Sequence, residues 1–423
     1  MPTQRELFYQ HLAQTTPFPL ALEIERAEGV YLYGKAGEKY MDLISGIAVS
    51  NVGHCNPEVV KAIREQSEKY LHLMVYGEYV QTPQVELATL LCSVLPQKLN
   101  SVYFTNSGAE AIEGAMKLAK RHNGRTEIIA FKDAYHGSTQ GALSIMGNEK
   151  LKQAYRPLLP DCLTLSLSEG EGNVLDAITN KSACVIIETI QGEAGAREFS
   201  KEFLQSLRKR CDETGTLLIL DEIQCAFGRT GKLFAFEHYG IKPDILCLAK
   251  SLGGGMPLGA FIAPQEIMQS FMHNPMLGHI TTFGGHPLCC AAGLAALKFL
   301  LREKHLIEEA TQKGELIKQL LSHPAIKEVR GKGLLLAAEF ENFETNKTII
   351  DRCIQQGVIT DWFLFCDNSM RIAPPLIITT AEIMKACDVI VESIDTVLSP
   401  LAWTMGYNKD ASTMLRGDRK YKI

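Results

Sequence analysis

The chain has 423 residues, of which 46% are hydrophobic and 22% are charged, a composition typical of a globular protein with more than one structural region. Its formal net charge of −5 argues against nucleic acid or an anionic membrane as a partner. The 12 cysteines are scattered and form no Cys-x-x-Cys pair. Neither a metal site nor a disulfide framework is therefore predicted, and a reduced, cytoplasmic setting is expected.

Strands and helices are predicted to alternate regularly from about residue 101. Before that point, a short strand is predicted at 29–33, and Pro57 begins a predicted helix that ends near residue 73. Regular alternation predicts a mostly parallel sheet covered by helices. The predicted strands lie at 101–105, 127–131, 183–188, 217–220 and 245–248, and the helices lie at 84–95, 109–121 and 201–213.

The last third of the chain has a different pattern. An apolar, alanine-rich helix is predicted at 286–301, and a second helix ends near residue 321. We predict a domain boundary near residue 320 and a mobile, polar tail at 408–423. Beyond Pro324 the elements no longer alternate regularly, with strands predicted at 329–340 and 358–361 and helices at 347–356 and 380–397.

Two strand ends carry an acid and a lysine. One predicted strand ends in Asp221-Glu222, and the next leads to Lys250 and the three glycines at 253–255. Open α/β sheets bind ligands at the carboxyl ends of their strands, so the acid and the lysine are expected to face one crevice. The pair suits pyridoxal phosphate, which needs a lysine for a Schiff base and an acid that keeps its ring nitrogen protonated. A surface salt bridge is the simpler interpretation of one such pair.

Two loops that follow strands could contact such a cofactor. Ser107-Gly108-Ala109 begins a helix, and the free N–H groups of a helix N-terminus bind phosphate. The same three residues are equally good turn and cap residues. Tyr135 and His136 follow the next strand, where an aromatic ring could cover a flat heterocycle. Ordinary packing also explains an aromatic–histidine pair.

Three further positions carry polar groups that a ligand could use. Glu188 ends a strand and precedes the loop at 191–195, which contains Glu193, although a solvated loop is the simpler interpretation. Thr282 belongs to a glycine-flanked hydroxyl pair that could contact a phosphate. Arg371 lies in an apolar strand, where an unpaired charge is costly. We therefore expect Arg371 to meet a carboxylate, either of the protein or of a substrate.

Taken together, these motifs resemble those of the class III aminotransferases, the group of ornithine, acetylornithine and 4-aminobutyrate aminotransferases. The resemblance extends from Gly29 to about Ile378. Its most specific piece is LDEIQCAFGRTGKLFAFEHYGIKPDILCLAKSLGGGMPLGA, and the motifs NSGAEA, HGSTQGALS, IETIQGEAG, TTFGGHPL and RIAPPL occur in the order of the family.

The resemblance implies an α/β fold of type I, with a large, mostly parallel-sheet cofactor domain at 51–320 and a small α+β domain built from residues 1–50 and 321–423. It implies pyridoxal 5'-phosphate as cofactor and a homodimer in which Thr282 is a phosphate ligand of the partner subunit. Lys250 resembles the catalytic Schiff-base lysine, and Asp221 the partner of the pyridine nitrogen. The other implied cofactor contacts are Ser107, Gly108 and Ala109 at the phosphate, Tyr135 on the ring, Gln224 at the phenolic oxygen, and His136 and Glu188 beside them.

The substrate-binding residues match the family only in part. Arg371 resembles a carboxylate-binding arginine, and Glu193 resembles the glutamate that pairs with it when no carboxylate is bound. In many ornithine- and acetylornithine-type members an arginine that binds a substrate carboxylate follows the His-Gly pair, whereas this chain has Ser138. Arg197, just beyond the loop at 191–195, is the candidate for a replacement cation, although a solvated surface position is the simpler interpretation.

We therefore predict a cytoplasmic, homodimeric aminotransferase that moves an amino group from an amino acid or ω-amino compound, of the ornithine or acetylornithine type, to a 2-oxo acid by a ping-pong mechanism. Two alternatives use the same cofactor, an aminomutase and an ω-amine–pyruvate transaminase. A third is a cofactor-binding protein without catalytic activity. The joint presence of Lys250, Asp221 and Gln224 argues against this third alternative.

Overall fold

A seven-stranded β-sheet is the largest element of the computed structural model, which describes residues 2–17 and 19–399. The tail predicted to be mobile, 408–423, lies outside the described residues. Within those two ranges, no helix has both the length and the apolar character that crossing a bilayer requires. The same ranges contain no cluster of three or more His, Cys, Asp or Glu side chains that could hold a metal ion.

The strands are short, as is usual for an α/β protein. They are β1 (Ile24–Glu28), β2 (Tyr31–Gly34), β3 (Lys39–Asp42), β4 (Ser101–Thr105), β5 (Glu127–Phe131), β6 (Cys162–Leu165), β7 (Ser182–Glu188), β8 (Ile190–Gln191), β9 (Arg197–Glu198), β10 (Leu217–Asp221), β11 (Ile245–Leu248), β12 (Gly259–Ala263), β13 (Glu328–Lys332), β14 (Leu335–Glu339), β15 (Val358–Ile359), β16 (Trp362–Phe363) and β17 (Cys366–Ile372).

The helices range from single turns to a helix of 19 residues. They are α1 (Gln4–His11), α2 (Ser45–Ala48), α3 (Pro57–Ser67), α4 (Thr82–Val94), α5 (Gly108–Asn123), α6 (Gln140–Ser144), α7 (Glu171–Asp176), α8 (Lys201–Thr214), α9 (Gln265–Met268), α10 (Pro287–Arg302), α11 (His305–Leu320), α12 (Phe343–Gln355) and α13 (Thr380–Leu398). α2 is a left-handed single turn, since its four residues have φ between 53° and 66°. α3 ends at Ser67, six residues before its predicted end.

The large sheet has the strand order β4-β12-β11-β10-β7-β5-β6. Only β12 runs antiparallel to its neighbours, so the prediction of a mostly parallel sheet in an α/β fold is confirmed. Asp221 on β10 pairs in register with Glu188 on β7 and with Cys247 on β11. Because these three strand ends are level, Glu188, Asp221 and the nearby Lys250 come to one edge of the sheet, as expected for a ligand site.

The smaller sheets join distant parts of the chain. β15 pairs in parallel with β3, so an early and a late segment share the sheet β1-β2-β3-β15. The division into residues 1–50, 51–320 and 321–423 stays a prediction. The predicted strand at 329–340 is a hairpin of β13 and β14 that turns at Gly333, where φ is +57°. A Cβ there would lie 2.6 Å from the carbonyl carbon of Thr230, so only glycine fits. A single strand was predicted across this turn because the residues that follow Gly333 form an apolar run.

Arg229 connects three segments of the chain from a fully buried position. Its guanidinium donates hydrogen bonds to the carbonyl oxygens of Leu334 and Pro374 and to Oδ1 of Asn51. No carboxylate in the described residues forms an ion pair with it, and burial lowers the pKa of Arg229 to about 9. The charge is therefore stabilised by neutral acceptors that come from both ends of the chain.

Replacing Arg229 with leucine is expected to destabilise the protein by about 3 kcal/mol, because three buried acceptors lose their donors at about 1 kcal/mol or more each. The shift in the midpoint of urea denaturation measures this loss. Arg302→Leu is the matched control, since Arg302 forms an exposed ion pair with Glu58 and is expected to contribute little. Equal shifts for the two variants would contradict a special role for the buried arginine.

Candidate active site

A cavity of about 620 Å³ opens at the carboxyl ends of the central strands. It brings together ten of the twelve residues that the sequence predicted for the site. Arg371 and Thr282 are the two exceptions, and their positions are described below. The ten that line the cavity are Ser107, Gly108, Ala109, Tyr135, His136, Glu188, Glu193, Asp221, Gln224 and Lys250.

Asp221 is held on both of its carboxylate oxygens. Its Oδ2 lies 2.8 Å from Nδ1 of His136, and its Oδ1 accepts a hydrogen bond of 3.0 Å from the backbone N–H of Ile223. Both Asp221 and His136 are buried. Nε2 of His136 has no hydrogen-bond partner in the described part of the chain. The carboxylate is therefore fixed in one orientation on the cavity wall.

Lys250 follows β11 in a left-handed backbone conformation, with φ of +52°, which side-chain-bearing residues rarely adopt. Strain of this kind is concentrated at functional sites. The side chain is partly exposed because it lines the cavity, but the surrounding protein removes most of its water. This desolvation lowers the pKa of Lys250, while the charge of Glu193 acts in the opposite direction. A lowered pKa favours the neutral amine, which is the nucleophilic and basic form.

Glu193 and Arg371 form a bidentate ion pair, with Nη1 to Oε1 at 2.9 Å and Nη2 to Oε2 at 3.0 Å. Burial alone would raise the pKa of Glu193, but the charge and hydrogen bonds of Arg371 hold it at about 2. Nε of Arg371 donates to Asp361 at 2.8 Å. Arg371 thus lies behind Glu193 and meets two protein carboxylates. Asp361 was not predicted, although its place at the end of a predicted strand was a signal that could have found it.

The N-terminus of α5 lies at one end of the cavity. Oγ of Ser107 caps the helix by accepting the backbone N–H of Glu110, and the first N–H groups of a helix have no acceptor within it. A Cβ on Gly108 would lie 2.8 Å from Cδ1 of Ile223, so any larger residue would require the Ile223 side chain to shift. Free N–H groups at a helix N-terminus form a cradle that suits a phosphate group.

Glu188 anchors two loops of the cavity wall. Its Oε1 accepts the backbone N–H of Tyr135 at 2.8 Å, and its Oε2 accepts that of Gly192 at 2.9 Å. Burial raises the pKa of Glu188 to about 7, His136 opposes this shift, and the charge of Asp221 adds to it. Oη of Tyr135 lies 3.1 Å from Oγ of Ser138. The aromatic side chain that was expected to cover a ring is therefore held by its backbone and by its hydroxyl.

Gln224 contributes a second buried atom without a partner. Its Nε2 donates to Oε1 of Glu193 at 3.3 Å, whereas its Oε1 has no hydrogen-bond partner in the described residues. With Nε2 of His136, this makes two buried polar atoms on the cavity wall that a ligand could satisfy. An anion cradle, an aromatic side chain, a fixed carboxylate and an amine in one cavity fit pyridoxal phosphate.

Thr282 and Arg197, the candidate for a second cation, lie outside the cavity wall. Thr282 is exposed and is not part of the cavity wall in its own chain. Arg197 lies on β9 with a half-exposed side chain, 3.8 Å from Oε2 of Glu339, and it does not line the cavity either. Val49 and Met256 do line it, although no motif in the sequence indicated them.

The comparisons with known proteins agree with this chemistry. The family model described as aminotransferase class-III matches residues 13–394. The acetylornithine aminotransferase of Methanopyrus kandleri is 41% identical over 379 residues, which are 89% of this chain and 94% of the relative. That of Clostridium acetobutylicum is 38% identical, with 88% of this chain and 95% of the relative covered.

Solved structures show the same fold. A transaminase from the marine bacterium Virgibacillus superposes with a TM-score of 0.88 at 26% identity, and the match covers 94% of this chain and 99% of the other. The ornithine aminotransferase from Toxoplasma gondii gives a TM-score of 0.86 at 27% identity, with 94% and 96% covered. A second structure of that enzyme is described with pyridoxal phosphate at its active site.

Proposed function

We infer the roles of individual residues from the premise that this chain belongs to the class III aminotransferases. Members of this family use pyridoxal 5'-phosphate, so the prediction of a transaminase that depends on this cofactor is confirmed. No finding favours the alternatives of an aminomutase, an ω-amine–pyruvate transaminase or a cofactor-binding protein without activity. The single observation that carries the residue assignments is the cavity in which Lys250 and Asp221 meet the N-terminus of α5.

The residues present fit the cofactor. Lys250 would hold it covalently through its amine, and the first N–H groups of α5 with Ser107 would hold its phosphate. Asp221 would face the ring nitrogen, and Tyr135 would cover the ring. When bound, pyridoxal phosphate supplies the carbonyl group that receives the amine and a ring that withdraws electrons. The buried atoms without partners on Gln224 and His136 support this assignment, because a polar ligand would satisfy them.

Three side chains would then hold or transfer protons and bind the substrate carboxylate. Asp221 keeps a proton at the ring nitrogen, and the contact with His136 keeps this carboxylate in place. Lys250, with a lowered pKa, would remove the proton from the donor carbon that carries the amine in the first half of the transfer, and would donate a proton to the corresponding carbon of the acceptor in the second half. Arg371 binds the carboxylate of a substrate once Glu193 moves away from it.

The ion pair between Glu193 and Arg371 lets one site accept two kinds of substrate in turn. With the pair closed, the guanidinium is neutralised, which suits an amine without a nearby carboxylate. With the pair open, the guanidinium binds a carboxylate, which suits a 2-oxo acid. We therefore propose a ping-pong transfer from an amino acid or an ω-amino compound to a 2-oxo acid. Relatives named acetylornithine aminotransferase support a donor of the ornithine or acetylornithine type.

The test is a half-reaction screen of the holoenzyme against a panel of amines and amino acids. An amino donor is expected to change the cofactor absorbance in the absence of any acceptor, and a 2-oxo acid is expected to restore it. An aminomutase would instead convert its substrate completely without a second carbonyl compound. A panel in which no amine changes the spectrum would contradict the proposed transfer.

We also propose a homodimer in the cytoplasm. Two segments with exposed apolar side chains meet beside Thr282, where the ring centroids of His72 and Phe283 are 4.7 Å apart. An exposed apolar surface of this kind favours a protein contact. Thr282 lies outside the cavity of its own chain, which supports a role at the cofactor phosphate of the partner. All 12 cysteines are free, which supports a reducing compartment. The other exposed apolar residues of these segments are Leu71, Leu73 and Ile280.

Mixed dimers of Lys250→Ala and Thr282→Ala chains test this arrangement. If Thr282 serves the partner's site, one site of the mixed dimer carries both lesions and the other carries neither. The mixed dimer is then expected to show one site with wild-type cofactor affinity and rate. The Thr282→Ala homodimer is expected to bind the cofactor about tenfold more weakly, because one hydrogen bond to a charged group is lost. Mixed dimers that keep this weak affinity at their only lysine-bearing site would place the threonine in its own chain's site.

A further inference from the structure

Arg371 has three contacts that do not depend on Glu193. Its Nε donates to Oδ1 of Asp361 at 2.8 Å, and its Nη2 donates to the carbonyl oxygen of Trp362 at 3.3 Å. Its Cζ lies 4.4 Å from the centroid of the Phe363 ring, which is a cation–π geometry. Three consecutive residues therefore hold the guanidinium by a charge, a carbonyl oxygen and a ring.

The backbone fixes Asp361 to Arg371 as well. The N–H of Arg371 donates to the carbonyl oxygen of Asp361 at 2.8 Å, and the next residue, Trp362, pairs with Met370 between β16 and β17. Asp361 is not part of the cavity wall. The geometry of Asp361 and Arg371 is therefore set by the strand pair and not by what the cavity contains.

Glu193, the other carboxylate at Arg371, is held differently. It lines the cavity and lies on the loop between β8 and β9. Besides Arg371, its side chain contacts Nε2 of Gln224 at 3.3 Å and the backbone N–H of Leu364 at 3.1 Å. A side chain on a loop can turn away without breaking a strand pair. One carboxylate at the guanidinium is thus fixed, and the other can be exchanged for that of a substrate.

This exchange requires a guanidinium that stays in place when Glu193 leaves. Without Asp361, Nε of Arg371 would lose its only acceptor among the described residues. An arginine side chain is long and flexible, so it would gain freedom to follow Glu193 or to turn away from the cavity. With Asp361 in place, both Nη atoms keep the orientation in which they bind a carboxylate through two parallel hydrogen bonds.

We propose that Asp361 is a positioning residue, which keeps the guanidinium of Arg371 aimed at the cavity while Glu193 is exchanged for the carboxylate of the acceptor. Asp361 thereby sets the affinity of the site for 2-oxo acids without touching them. The proposal rests on the proposed function, since it assumes that the acceptor is a 2-oxo acid whose carboxylate binds to Arg371.

The test compares Asp361→Ala with Asp361→Asn in the holoenzyme, because asparagine keeps an acceptor for Nε and alanine does not. With pyruvate and 2-oxoglutarate as acceptors, alanine is expected to raise KM by about tenfold or more, the effect of one lost hydrogen bond to a charged group. The value of kcat is expected to change little, because the carboxylate is bound alike in the ground state and the transition state. Asparagine is expected to keep KM close to that of the wild type. Neither variant is expected to change the KM of an ω-amino donor, which meets the closed ion pair.

Binding tests the same role without turnover. When the cofactor is attached to Lys250, the holoenzyme has no amino group to give, so the two 2-oxo acids can bind but cannot be aminated. Their affinity, measured by calorimetry, is expected to fall in Asp361→Ala by about the same factor of ten. Asp244→Ala is the matched control, since Asp244 is about as exposed as Asp361 and forms an ion pair of 2.8 Å with Arg208, outside the cavity wall. The control is expected to lower stability and to leave KM and binding unchanged.

An unchanged KM and affinity in a folded Asp361→Ala enzyme would overturn the proposal. A lower KM would also overturn it, because Asp361 would then only compete with the substrate for the charge of Arg371. If Asp361→Ala does not fold, Asp361→Glu keeps the charge and displaces the carboxylate. This variant is expected to raise KM, and a wild-type KM would contradict a role in positioning. If neither 2-oxo acid restores the cofactor spectrum while Asp361→Ala weakens their binding, the proposed function fails and the positioning role stands.

Discussion

Replacing Lys250 with alanine is expected to abolish amino transfer, with a loss of more than about 10⁴-fold, because the change removes both the covalent anchor and the base. The fold is expected to survive. Lys250 makes no hydrogen bond or ion pair within the described chain that holds other elements together. Alanine at this position also removes an amine whose charged form is disfavoured by desolvation. Activity and denaturation midpoint, measured on the same preparation, separate the two effects.

Reduction with borohydride provides the direct test of the anchor. In the wild-type holoenzyme the reduced cofactor is expected on the peptide that contains Lys250, and in Lys250→Ala no lysine is expected to carry it. Lys313→Ala is the control, since Lys313 is also buried but bonds to Glu309 and to the carbonyl oxygen of Leu376, outside the cavity. This control is expected to lower stability and to keep the cofactor attached. Reduced cofactor on any lysine other than Lys250 would contradict the assignment.

The position of the site could be predicted because strand ends in a parallel sheet lie at one edge. The sequence placed two carboxylates, Asp221 and Glu222, at one such end. The apolar pattern alone does not distinguish them, because β10 is buried on both faces, and only the family resemblance singled out Asp221. In the structure Asp221 lines the cavity, while Glu222 accepts hydrogen bonds from Thr189 and from the backbone of Ala235 and Phe236.

The sequence predicted that Arg371 meets a carboxylate, but it did not predict that there are two. An arginine in an apolar strand requires a carboxylate on energetic grounds. That it meets both Glu193 and Asp361 depends on how the segment 361–365 folds back over the loop at 191–195. Contacts over such distances along the chain depend on side-chain packing from several elements. The same reason explains why Arg229 and its three acceptors gave no signal in the sequence.

For Ser138, the motifs predict that the residue lies in the site, but they do not predict which residues surround it. The motif predicted that this position lies in the site, and the cavity contains it. The missing arginine alone left open whether another cation takes its place. In the structure Arg197 is not part of the cavity wall, and Lys250 is the only lysine or arginine among the described residues that line it.

Replacing Asp221 with asparagine is expected to lower the rate of amino transfer by about a thousandfold, the loss typical of a removed electrostatic stabiliser. Asparagine keeps the size of the side chain, and its Oδ1 can still accept the backbone N–H of Ile223. It lacks the charge that holds a proton at the ring nitrogen. Its amide group would also offer a donor to Nδ1 of His136, so the histidine would have to change its tautomer. The cofactor is expected to stay bound, because its anchors at Lys250 and at α5 are unchanged.

Two measurements separate the charge of Asp221 from its packing. Glu222→Gln is the matched control, since this neighbouring carboxylate is fully buried but does not line the cavity. It is expected to lower stability and to leave the rate of transfer close to that of the wild type. Reconstitution of Asp221→Asn with a cofactor that is methylated on the ring nitrogen supplies a permanent positive charge there, so part of the lost rate is expected to return. An Asp221→Asn enzyme within about tenfold of the wild-type rate would contradict the role, because a stabiliser of this kind contributes about a hundredfold or more.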